Sequence, residues 1–235
     1  FALTFAAARE IIAGRNWRNL KIVLPLSVLF IANIWFHFEA HMYGTTETSR
    51  RLGLAIGIVL IMLIGGRIIP SFTRNWLVKR DSQVLPAPFS RYDALTLAIS
   101  VLALLLWSVD ANRMWSGSLL LGAGVLNMVR LARWAGLRTS AEPLVAMLHI
   151  AYIFVPVGFF LSALGIWVPD HVPVSAGIHA FGVGAVGSMT LTVMTRATLG
   201  HTGQPLTAHL TTKLGFAAII ISALLRVTAA FDLAF

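Results

Sequence analysis

The stretch of sequence that decides the fold runs from Leu52 to Pro70 and reads LGLAIGIVLIMLIGGRIIP. It is apolar apart from one arginine, and it lacks the alternation of polar and apolar residues that half-buried strands show. About 20 such residues in a helix cross the roughly 30 Å hydrocarbon core of a bilayer. The stretch therefore predicts a transmembrane α-helix.

Stretches of similar size recur along the whole chain of 235 residues. Because lipid offers the backbone no hydrogen-bonding partner, each is expected to form a helix that satisfies its own amides. The predicted fold is an all-α, polytopic transmembrane helical bundle of about seven spans. Residues 1–19 are predicted to be the end of a preceding helix with a cytoplasmic connection, and residues 20–235 the bundle, as one domain of a longer chain. The predicted spans run from Leu20 to Tyr43, Leu52 to Pro70, Ala94 to Asp110, Met114 to Arg133, Pro143 to Val168, Ser175 to Arg196 and Thr211 to Phe235.

Composition and charge agree with a membrane protein. Charged residues make up 11% of the chain, against about 25% in an average soluble domain. The 18 lysines and arginines fall mostly in alternate connections, which predicts that those connections are cytoplasmic and argues against nucleic acid as the partner of this basic chain. Since there is no cysteine, a metal would depend on histidine, acidic residues or methionine. No phosphate loop, nucleophile elbow or dinucleotide fingerprint is present, so the sequence holds no complete catalytic constellation.

Two histidines, His37 and His41, lie four residues apart near the outer end of the first complete span. At that spacing both imidazoles project from one helix face, where they can share a metal ion. The alternative is a pair of polar residues at the headgroup level, beside an aromatic belt of Trp35 and Tyr43. The sequence leaves both interpretations open.

A third histidine, His179, begins the motif HAFGVGAVGS at the outer end of the sixth span. Its small residues leave a flat helix surface, which suits either a neighbouring helix or a planar macrocycle beside an axial histidine. If the first and sixth spans are neighbours, His37, His41 and His179 would form either a bis-histidine haem b site or a three-histidine copper site, because imidazole suits both metals.

Four further residues complete the set of candidate cofactor-binding side chains. His149 lies about two turns into the fifth span, as a ligand of a second, inner site or as a hydrogen-bonded core residue. Three arginines stand at the predicted cytoplasmic ends of the second and sixth spans, where they fit either membrane topology or pairing with carboxylates such as haem propionates. They are Arg67, Arg74 and Arg196.

Two motifs resemble the NnrS family: GGRIIPSFTRN at residues 65–75 and, more specifically, HAFGVGAVGSMTLTVMTRATLGHTG at residues 179–203. The resemblance implies a multi-pass protein of the bacterial inner membrane that takes part in the response to nitric oxide and contains haem and copper. Family members are longer, so it also implies that this chain is the C-terminal part and lacks the family's histidine-bearing N-terminal region.

The sequence thus predicts an NnrS-like haem and copper protein that protects against nitrosative stress, with nitric oxide or a related small ligand bound at the metal and the lipid bilayer around it. The alternative is a membrane transporter of metal, haem or a small anion, in which histidine and arginine line a pathway. A scaffold whose metal ligands all lie on other helices is the third possibility.

Overall fold

The computed structural model describes residues 2–17, 23–110 and 114–232. All regular structure in these ranges is helical and none of it is strand, which confirms the all-α prediction. A 3₁₀ turn, Gly136–Thr139, precedes α6, and a π-helical segment, Ala180–Gly187, joins α7 to α8. The α-helices are α1 (Ala2–Ala13), α2 (Val23–Tyr43), α3 (Glu47–Val78), α4 (Arg91–Val109), α5 (Met114–Ala132), α6 (Pro143–Trp167), α7 (Val174–His179), α8 (Ser188–His201) and α9 (Leu210–Asp232).

Six helices in the described ranges are long and apolar enough to cross a membrane, close to the predicted seven. They are α2, α3, α4, α6, α9 and the continuous helix Val174–His201, which α7, the π segment and α8 form together. Helix α5 corresponds to the remaining predicted span, but it carries the polar residues Asn127 and Arg130 and is not among the six. The predicted limits at Leu20 and Phe235 lie outside the described residues. The chain is a multi-pass membrane protein.

Helix α3 extends beyond its predicted end. The sequence suggests a stop at Pro70, whereas the helix continues to Val78. Proline removes one amide donor and leaves the carbonyl of Gly66, one turn earlier, without its usual partner. Membrane helices tolerate this where a neighbouring helix supplies polar groups, and the guanidinium of Arg130 lies directly against Gly66.

Helix α6 forms the centre of the bundle. Of the 18 residues that form its apolar segment, 67% are buried, against 11% in the corresponding segment of α2 and 17% in that of α9. It packs on α3, α5 and the helix Val174–His201, while α4 packs between α3 and α5. Glycines allow the close approach, because a side chain at Gly158 would overlap Phe181, and one at Gly184 would overlap Phe154. The core is therefore built around α6, and α2 lies at its edge.

The helix ends use local capping. Ser90 and Asp93 form a capping box at the start of α4, in which the Asp93 carboxylate accepts from the Ser90 amide at 2.9 Å. Helix α6 begins with Pro143, preceded by Glu142, whose carboxylate accepts from the amide of Leu144 at 3.4 Å. These caps fix the helix ends that are predicted to face the cytoplasm.

Candidate metal and cofactor site

His37 and His41 lie on one face of the uninterrupted helix α2, and both side chains are exposed. The His37 ring meets Phe36 edge-on, with ring centroids 5.6 Å apart. Helix α2 buries only Ala32 and Glu39 in the bundle, so its histidine face looks outward. Two exposed imidazoles one turn apart therefore share that face.

Glu39, which lies between the two histidines in sequence, accepts hydrogen bonds from the start of helix α3. Its carboxylate accepts hydrogen bonds from the amide of Thr48 at 3.1 Å and from the amide of Ser49 at 2.9 Å, and also from the Ser49 hydroxyl. These amides belong to the first turn of α3, whose donors have no partner within the helix. Glu39 is thus the cap of α3 and fixes the α2–α3 hairpin, which turns at Gly44 with a φ of +69°.

His179 ends α7 and is half-buried. A side chain placed at Gly182, one turn later, would meet no atom within 4 Å, so this side of the helix is open. Gly184, by contrast, is filled by Phe154 of α6, as expected for a helix–helix contact. The adjoining π-helical segment is a type of distortion that is frequent at functional sites.

The predicted histidines do not assemble into one centre within the described ranges. Helix α2 packs mainly on α1 and α3, whereas α7 packs on α6 and α9. No three histidine, cysteine, aspartate or glutamate side chains of the described residues stand close enough to hold one metal ion. The His37 and His41 pair and the single His179 are therefore separate, and the ligand role of each stays a prediction.

His149 is buried between α6 and α3. Its Nε2 lies 2.8 Å from the hydroxyl of Thr73, and its Nδ1 has no hydrogen-bond partner among the described residues. The ring fits only because residue 136 is glycine, since a Cβ there would stand 2.7 Å from the His149 Cγ. This geometry agrees with the hydrogen-bonded core histidine that the sequence offered as one alternative.

The three candidate arginines differ in their surroundings. Arg67 and Arg74 are exposed on α3. Arg196 is half-buried on α8, with its guanidinium carbon 4.1 Å from the centroid of the Phe72 ring. It forms no ion pair or hydrogen bond with any side chain in the described part of the chain. Arg196 is thus a positioned cation available to an anionic ligand.

A buried polar network, which the sequence analysis missed, connects α3, α4, α5 and α6. Arg130 donates to the Asp93 carboxylate at 3.1 Å, to the carbonyl of Met62 at 3.2 Å and to the Tyr152 hydroxyl at 3.1 Å. Tyr152 donates to Asn127 at 2.9 Å, and Asn127 donates to the Ser100 hydroxyl at 2.8 Å. Arg130 lies near the end of the predicted span Met114 to Arg133, where a cation indicates a cytoplasmic connection. Its spacing of three from Asn127 inside an apolar helix is the signal for a buried polar face.

A family model described as NnrS protein matches residues 1–235, the whole chain. No curated protein and no solved structure matches the chain.

Proposed function

The chain belongs to the NnrS family of membrane proteins of the nitric oxide response, and we propose that it binds haem b and copper through membrane-embedded histidines. On this proposal it lies in the bacterial inner membrane and protects the cell against nitrosative stress. The observation that carries the proposal is the exposed pair His37 and His41 on an apolar helix, because ionisable residues in membrane spans usually mark a function.

Imidazole, the ligand type that the described residues offer, suits both metals. Neutral imidazole binds copper and serves as an axial ligand of haem iron, and both uses are compatible with a chain that has no cysteine. His37 and His41 would supply two ligands from one helix face. His179 would supply an axial ligand beside the open side of Gly182, and further ligands would come from outside the described residues. When bound, a metal with an open position supplies the binding site for nitric oxide.

The cytoplasmic end of the bundle would hold any second, inner site. His149 lies six residues from the start of α6, at the end opposite His37 and His179. Its unpartnered Nδ1 is the atom that would bind there, after the ring moves away from Gly136. Arg67 and Arg74, exposed near this end, would pair with propionate groups.

The test is a metal and haem analysis of the whole natural protein, purified in detergent. We expect a Soret band that shifts when nitric oxide is added to the reduced protein, together with copper detected by mass spectrometry. The His37→Ala, His41→Ala double variant and the His179→Ala variant should each lose one of the two cofactors. His209→Ala, an exposed histidine in the connection before α9, should keep both and serves as the control.

Two results would contradict the proposal. Full haem and copper content in both histidine variants would remove these residues from the ligand set. A wild-type protein that is colourless and free of metal would favour a transporter, in which histidine and arginine line a pathway.

A further inference from the structure

A small cleft opens at the end of the bundle that is predicted to face the cytoplasm. The ends of α3, α6 and α8 meet there around a cavity of about 160 Å³. Phe72, Asn75 and Trp76 of α3 line the cleft with Lys79, the residue that follows this helix. Glu142 and Arg196 line it as well. We refer to this cavity as the α3–α6–α8 cleft.

The two cations that line the cleft are Arg196 and Lys79. Arg196 is held by stacking on Phe72 at 4.1 Å and Lys79 is exposed at the rim, and neither forms an ion pair within the described ranges. Arg80, which does not line the cleft, stacks on the Trp76 ring at 4.2 Å. The stacking leaves the edge of the Arg196 guanidinium, with its N–H donors, free for an oxygen ligand.

Glu142 is the acidic residue that lines the cleft. Its carboxylate accepts from the Leu144 amide at the start of α6, and it does not come within ion-pair distance of Arg196. The helix N-terminus carries a partial positive charge, which offsets part of the charge on Glu142. The cleft therefore keeps an excess of positive charge.

We propose that the α3–α6–α8 cleft binds a phosphate group through Arg196, Lys79 and Asn75. A guanidinium offers paired N–H donors that match two phosphate oxygens, an ammonium adds a point charge, and the amide of Asn75 donates a further hydrogen bond. Basic pockets between helices at the cytoplasmic surface suit anionic lipid headgroups, and free phosphate has the same chemistry. This proposal is independent of the metal chemistry proposed above.

The experiment uses the natural protein in an uncharged detergent and three probes. Dioleoylphosphatidylglycerol and dioleoylphosphatidylcholine are titrated and followed by native mass spectrometry, and inorganic phosphate is titrated by calorimetry. We expect binding of phosphatidylglycerol or inorganic phosphate to weaken about tenfold or more in the Arg196→Gln, Lys79→Gln double variant, since charge-assisted hydrogen bonds are lost. Lys213→Gln removes one exposed cation at the start of α9, outside the cleft, and should bind like the wild type.

Each outcome decides the question. Loss of phosphatidylglycerol binding alone identifies the lipid phosphate, and loss of inorganic phosphate binding identifies a soluble ligand. The proposal is overturned if the double variant binds as well as Lys213→Gln. It is also overturned if the wild type binds neither phosphatidylglycerol nor inorganic phosphate. Loss of haem from Arg196→Gln with phosphate binding unchanged would instead assign this guanidinium to a propionate. Lys79 lies at the rim, so the Lys79→Gln single variant still tests the cleft if Arg196→Gln does not fold.

Discussion

The buried ion pair of Arg130 and Asp93 should behave asymmetrically when its two partners are removed. The Arg130 side chain is 1% exposed and that of Asp93 5%, so neither charge is solvated by water. Asp93→Asn removes the counter-charge and leaves the buried guanidinium with neutral acceptors alone: the introduced amide oxygen, the Met62 carbonyl and the Tyr152 hydroxyl. Leaving one charge of a buried pair without its counter-charge costs about 3–5 kcal/mol of unfolding free energy.

Removal of Arg130 should cost less, because Asp93 keeps other partners. Its second carboxylate oxygen still accepts from the Ser90 amide and hydroxyl, and the Arg133 guanidinium lies 3.6 Å away. For Arg130→Met we expect a loss of about 1.5–3 kcal/mol, the usual contribution of a hydrogen bond to a charged group. The loss of unfolding free energy in the double variant should be about 1–3 kcal/mol smaller than the sum of the two single losses, as for residues in direct contact.

The assay is reversible unfolding of the purified protein in mixed micelles, by titration with sodium dodecyl sulfate and readout of helix content. Arg138→Gln, an exposed cation in the 3₁₀ turn after α5, is the control and should change the unfolding free energy by less than about 0.5 kcal/mol. Additive losses in the double variant, or a greater loss for Arg130→Met than for Asp93→Asn, would refute this account of the network.

Three further substitutions test packing and capping in the same unfolding assay. Gly66→Ala should lose about 1–3 kcal/mol because its Cβ would stand 2.7 Å from a guanidinium carbon, whereas Gly53→Ala, with no atom within 4 Å, should be neutral or slightly stabilising. Glu39→Gln should lose about 1–2 kcal/mol by weakening the cap of α3. Glu47→Gln, which breaks two ion pairs of a carboxylate that is 55% exposed, should lose less than about 1 kcal/mol. Thr73→Val should lose about 1–3 kcal/mol because it leaves the buried histidine beside it without a hydrogen bond; an unchanged stability would show that water replaces the hydroxyl.

Apolar length and periodicity predicted the fold class and most helix positions, because both follow from the local requirement to cross a bilayer. The end of α3 was not predictable in this way. Pro70 is a strong local stop signal, yet α3 continues through it, beside a contact of Arg130 with Gly66 that spans 64 positions of sequence. The π-helical segment after His179 likewise has no local signature beyond its glycines.

The buried network escaped prediction for a related reason. A cation near a helix end indicates a cytoplasmic connection, and both Arg130 and Arg133 lie at the end of the predicted span Met114 to Arg133. The Arg130 side chain can be buried only if a carboxylate lies beside it, and that carboxylate, Asp93, is 37 residues away at the start of another helix. The spacing of His37 and His41, in contrast, is local, and the structure places both on one face of α2. The residues that pack against that face depend on tertiary structure, which the spacing of two residues cannot predict.

The separation of the histidine pair from the core makes the metal hypothesis unusually easy to interpret. Helix α2 buries only Ala32 and Glu39, so replacing His37 and His41 removes exposed rings and leaves the α3–α6 core untouched. Surface substitutions of this kind change stability by less than about 0.5 kcal/mol. A double variant that unfolds like the wild type but lacks a metal has therefore lost a ligand and not its fold. His149 is the opposite case, because it packs against Gly136 and is hydrogen-bonded to Thr73. If a His149 variant lost a cofactor, its unfolding free energy would also have to be measured, to separate loss of a ligand from loss of the fold.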